Sequence, residues 1–145
     1  MLFYALTMLA AGIGIPFLAA LNSALGRHIG APATAAVVLL CVALSAAVVV
    51  CLLTGVQGVG KLATAPRHLF LGGLFVAFYI LSVTFIAPHF GVGNAIVVVV
   101  FGQLISAAVI DHFGLVGAPI APLSLMRAAG LSFMALGVLI TVSAR

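Results

Sequence analysis

Apolar residues along this chain fall into five runs, each closed by a short cluster of glycine, proline, histidine or charge. The first, Leu2 to Leu25, ends at Gly26-Arg27-His28-Ile29-Gly30. The second starts at Pro32, a residue suited to the first turn of a helix, and reaches Gly55. A polar connector from Val56 to Arg67 carries Gln57, Lys61 and Arg67. The third run, His68 to Ala87, stops at Pro88-His89-Phe90-Gly91, and the fourth, Gly93 to Ile110, stops at Asp111-His112-Phe113-Gly114. Pro119 and Pro122 mark a loop, Ser124 stands where a helix N-cap is wanted, and a fifth run extends to Val142.

A membrane-spanning helix needs about 20 predominantly apolar residues, and each run meets that length. Val and Ile crowd the fourth run from Ile96 to Val100, a composition that in water would favour a strand. In lipid an isolated strand leaves its backbone unpaired, so the helix is expected there too. The expectation is therefore an all-α integral membrane protein, a single transmembrane domain over residues 1–145 with helices near 2–25, 32–55, 68–87, 93–110 and 124–142. No linker or low-complexity segment interrupts it. The first run lacks a Lys or Arg ahead of it and exceeds the apolar core of a signal peptide, so it reads as a retained helix.

Composition excludes the main alternatives. Hydrophobic residues are 66% of the 145 and charged residues 4%, where a soluble domain carries about a quarter charged. Six charges cannot supply a polar skin, and so apolar a chain cannot stay solvated as a disordered one. The net charge of +4 comes from five scattered Lys and Arg against one acid, which form no basic stripe for nucleic acid. Cys41 and Cys51, about 15 Å apart on one helix, cannot pair within it. His28, His68, His89 and His112 lie at run edges without metal-ligand spacing, and no phosphate loop or nucleophile motif occurs. Neither an enzyme nor a metal or other cofactor is expected.

The few cations also bear on topology. With the N-terminus on side B, Arg27 and Arg145 fall on side A, and Lys61, Arg67 and Arg127 on side B. An excess of one is almost no instruction under the positive-inside rule. Three readings remain open on this count: one orientation set by subtler features, a chain inserted both ways that pairs with itself antiparallel, or an oppositely oriented sister chain.

Polar groups deep in hydrocarbon mark function or interhelical hydrogen bonds. Gln103 stands about 3 Å from the middle of the fourth run, with Ser106 one turn on. Tyr79 is near the centre of the third run, away from the interfacial belt where membrane tyrosines concentrate. These three are the candidate substrate-binding residues, for a ligand that is neutral, weakly polar or an anion drawn by interfacial cations. Pro16, after Gly12 and Gly14, interrupts the first run as the helices of transporter sites often are, or only kinks it for packing. Asn22, Asp111 and Arg127 lie toward the ends and suit structural bracing or gating, Asp111 as a loop clamp with Arg127. No acid falls within an apolar run, which disfavours cation exchange at a central carboxylate.

The segment Asn22-Ser23-Ala24-Leu25-Gly26-Arg27, then Gly30-Ala31-Pro32, resembles the opening signature of the YdcZ-like family, a five-helix branch of the drug/metabolite transporter superfamily. Gly72-Gly73, Tyr79 and Pro88-His89-Phe90-Gly91 are similar to its third helix and exit. Gly102-Gln103, Asp111-His112-Phe113-Gly114, Pro122-Leu123-Ser124, Arg127 and Gly130 continue the likeness across the chain. The resemblance implies a multi-pass protein of the bacterial inner membrane that transports a small molecule, and half of a ten-helix inverted-repeat bundle completed by an antiparallel copy or a sister five-helix chain. It also implies alternating access around a shared midplane site. A non-transporting membrane scaffold or accessory subunit is the alternative.

Overall fold

The computed structural model describes residues 2–144; Arg145, which entered the charge count, lies outside them. The described residues contain no strand and five α-helices: α1 (Leu2–Ile29), α2 (Pro32–Thr54), α3 (Gly72–Phe90), α4 (Val92–Phe113) and α5 (Leu125–Ser143). All five are long and apolar enough to cross a bilayer, α3 together with the short turn that begins at Arg67. The chain is an all-α integral membrane protein. Its large side chains face outward, as lipid permits: Leu53 is 82% exposed and Leu125 91%. The buried positions are mostly small, among them Ala19, Gly26, Ala35, Ala36, Ala87, Ala95 and Ala108. Where the solvent is as apolar as the side chains, helices associate by close approach of small residues.

Several helices outrun the expected ends, for local reasons. α1 continues to Ile29, so the turn to α2 is only Gly30 and Ala31. Gly30 takes the left-handed conformation (φ 65°), its N–H donating to the Arg27 carbonyl (3.3 Å) and that of Ala31 to the Gly26 carbonyl (3.1 Å). These bonds satisfy carbonyls that a helix end leaves bare. α3 carries Pro88 inside its last turn, where the lost hydrogen bond is one near the end of the ladder. The polar connector after α2 is not irregular throughout: Val59–Thr64 and Arg67–Leu71 form tight 3₁₀ turns.

Two compact units divide the chain, Met1–His89 and Phe90–Arg145. In the first, α1 packs on α2 as an antiparallel hairpin, and α3 joins α1 through the contacts described below. α1 passes through Pro16 without a break, and a Cβ at Gly12 or Gly14 would meet nothing, so no packing within the chain requires those glycines. In the second unit α4 packs on α5. Ser124 caps α5, its Oγ accepting from the Arg127 N–H (3.2 Å), as its place ahead of the fifth run predicts. α4 ends at Gly114 (φ 62°), where an added Cβ would stand 2.7 Å from Ile120 Cγ1. Gly114→Ala thus meets both a backbone penalty and a clash, and should lower stability by about 1–3 kcal/mol, read as a fall in the thermal unfolding midpoint in detergent.

Candidate functional site

Helical spacing puts Ala19, Asn22, Ser23 and Gly26 on one face of α1, and all four are buried. α3 answers with Ile80, Val83, Thr84 and Ala87. The absent side chain of Gly26 permits the approach, since a Cβ there would lie 3.2 Å from Pro32 Cα and 3.5 Å from Thr84 Cγ2. Across this contact the Asn22 Nδ2 donates to Thr84 Oγ1, and the Thr84 hydroxyl donates to the Ile80 carbonyl (2.7 Å). Asn22 Oδ1 and Ser23 Oγ are buried beside it with no hydrogen-bond partner among the described residues.

Thr84→Val keeps the shape and removes the acceptor. The bond lies wholly out of water, where interhelical hydrogen bonds contribute about 0.6–2 kcal/mol. The variant should unfold at lower temperature by a corresponding margin, measured by circular dichroism in detergent; an unchanged midpoint would show the Asn22 amide to be indifferent to this partner.

Around the outer end of this contact is a cleft of about 390 Å³, lined by Ser23, Gly26, Arg27, Pro32, Thr84 and His89 among others. His89 Nδ1 lies 3.0 Å from the Phe85 carbonyl, which can only accept, so Nδ1 carries a proton and Nε2 stays available. A second cleft of similar size between α1 and α2 is almost wholly apolar, lined by Leu18, Leu21, Val38 and Val42, with Asn22 its one polar residue. Tyr79, also in the first unit, is partly buried, and its hydroxyl has no partner among the described residues.

In the second unit Gln103 and Ser106 are exposed on α4, one turn apart on the same side of the helix, and neither has a hydrogen-bond partner among the described residues. Asp111 and Arg127 meet, Nη2 to Oδ2 at 2.8 Å. Their side chains are 35% and 39% exposed, so the pair contributes at most about 1 kcal/mol. More of the loop is held by backbone: Ala121 N–H donates to the Asp111 carbonyl (2.8 Å), and Leu123 N–H to His112 Nδ1 (2.9 Å). A backbone N–H only donates, so His112 Nδ1 is the acceptor of this bond. The described residues include no cluster of His, Cys, Asp and Glu able to hold a metal ion.

Of the residues expected from sequence to touch substrate, Gln103 and Ser106 share one exposed helix face, and Tyr79 belongs to the other unit. Asn22, expected to brace or gate toward the end of the first run, lies inside the α1–α3 contact. Sequence reasoning missed its partner Thr84 and the burial of Ser23. The signal available was the spacing of Ala19, Asn22, Ser23 and Gly26, a small-residue stripe with polar members.

The family model described as "Putative inner membrane exporter, YdcZ" matches residues 3–140. No curated protein and no solved structure matches the chain.

Proposed function

The chain belongs to the YdcZ family and is a multi-pass inner-membrane protein, and on that premise we propose that it exports a small molecule by alternating access, as an antiparallel pair with a central site. Five helices place the two ends of one chain on opposite sides of the membrane, so an oppositely oriented mate supplies the inverted half. The observation that carries this reading is Gln103, an exposed side-chain amide in the middle of α4 with no partner among the described residues. An amide moved from water to hydrocarbon without a hydrogen bond costs about 4–8 kcal/mol. A glutamine facing lipid at that depth is therefore a poor end state, and a mate's helices or a water-filled cavity would relieve it. Ser106 extends the same face, and the unpartnered Tyr79 hydroxyl in the first unit is the other group we assign to the substrate path.

Asp111 and Arg127 brace the loop before α5 in this scheme, and Pro16 marks the part of α1 able to bend. The test is flux of candidate solutes through purified protein in liposomes. Saturation and counterflow are expected; linear, non-saturating flux would make it a channel, and no flux with any solute would favour a scaffold.

A further inference from the structure

Ser23 lies three residues before Gly26 and four before Arg27 in the last turns of α1, so these three share a face, and Gly30 follows in the turn that leads to α2. Two of the four have no side chain, which opens the cleft described above against Pro32 and His89. Within it Ser23 is 1% exposed and its hydroxyl has no partner among the described residues. A buried hydroxyl without a partner costs about 1–3 kcal/mol, so its retention here asks for a reason. Arg27, one turn along, supplies a guanidinium with no salt-bridge partner among the described residues. α2 begins at Pro32 with no side-chain cap, leaving the first N–H groups of that helix without an intrahelical acceptor at the rim. The α1 C-terminus has the opposite polarity, but its last turn is partly closed by the Gly30 and Ala31 N–H groups.

We propose that this cleft is a binding site for a single anionic oxygen group, a carboxylate or phosphate, held by the Arg27 guanidinium and the Ser23 hydroxyl at the membrane edge. A fork of N–H donors suits two oxygens of such a group, and Ser23 donates to a third contact deeper in the cleft. His89 Nε2 is the remaining polar atom of the wall, and it donates when the ring is protonated. Of the nearest buried polar groups, the Asn22 amide N–H is already given to Thr84, and Asn22 Oδ1, without a partner among the described residues, is an acceptor with nothing to donate to an anion. The group belongs either to a free solute or to an anionic lipid whose headgroup reaches the same edge. This site lies wholly within the first unit and stands whether or not Gln103 lines a transport path.

The test uses the full chain in nanodiscs of phosphatidylcholine, titrated with inorganic phosphate and with acetate by calorimetry, and then in nanodiscs containing phosphatidylglycerol without added anion. Arg27→Gln and Ser23→Ala are compared with Arg67→Gln, an exposed cation elsewhere in the same unit. Saturable binding of the free anions that Arg27→Gln weakens about tenfold or more, and Arg67→Gln does not, establishes a solute site. A rise in thermal midpoint with phosphatidylglycerol, lost in Arg27→Gln and kept in Arg67→Gln, establishes a headgroup site. Equal responses of the two arginine variants, or no response to either anion or lipid, overturn the proposal. Ser23→Ala changes one atom at a position that already accepts no bond, and its unchanged circular dichroism would separate lost binding from lost fold.

Discussion

Replacing Gln103 with leucine should reduce transport at least tenfold while the protein still inserts and folds. The substitution keeps side-chain volume and helix propensity and removes only the amide. No side-chain hydrogen bond among the described residues is lost, because the Gln103 amide makes none there. Insertion becomes easier, since a polar residue at mid-bilayer depth is replaced by one that lipid accepts. A loss of tenfold corresponds to about 1.4 kcal/mol, the size of one substrate hydrogen bond made in the occluded state and missing in the variant. The competing role, an interhelical bond to a mate, predicts a different pair of results: a lower thermal midpoint of the assembly with flux per surviving dimer unchanged. Flux and midpoint measured on the same proteoliposome preparation separate the two. Gln103→Ala with normal substrate binding and normal flux would remove the residue from the site altogether.

The helices could be read from the chain because lipid makes them obligatory: every spanning backbone must bond to itself, so each apolar run of sufficient length has one solution. Their ends were less legible. The charge of Asp111 suggested an exit at Ile110, yet α4 runs on to Phe113, since a carboxylate paired with Arg127 can remain within a helix at the membrane edge. Arg27 and His28 likewise sit inside the last turn of α1, where cations complement the helix dipole. The buried polar contact was harder still. Thr7, Ser45, Thr54, Ser132 and Thr141 each return their hydroxyl to the carbonyl four residues earlier, and Thr84 does the same. What distinguishes Thr84 is that it also accepts from Asn22, 62 positions away. Local spacing carries no trace of that pairing, whereas the Gly30 and Gly114 turn signals are local and were visible.

Locking the chain in one orientation should abolish transport, and mixing two oppositely locked forms should restore it. The count of Lys and Arg is two on side A and three on side B, so a few surface substitutions decide the bias. Lys61→Ala with Arg67→Ala, joined to Ser143→Lys and Ala144→Lys on side A, leaves side B only Arg127 against four; Gln57→Lys with Ala63→Lys raises side B to five against two. The four connector positions between α2 and α3 are exposed, as are Ser143 and Ala144, and none of these side chains makes a hydrogen bond or ion pair among the described residues, so fold is not at stake. Neither change touches Arg27, which keeps the outcome independent of the anion cleft. Orientation is read by labelling single cysteines in that connector, in a chain whose own Cys41 and Cys51 are replaced; both are unpaired and exposed on α2. Wild-type protein should label from both sides of the membrane, each locked form from one side. Because an antiparallel pair needs one chain of each orientation, either locked form alone should carry less than about a tenth of the wild-type flux. Co-expression should recover most of it, since complementary halves then meet. Full activity of one locked form alone would mean that a single orientation suffices, and the inverted half would have to be sought in a sister chain or abandoned.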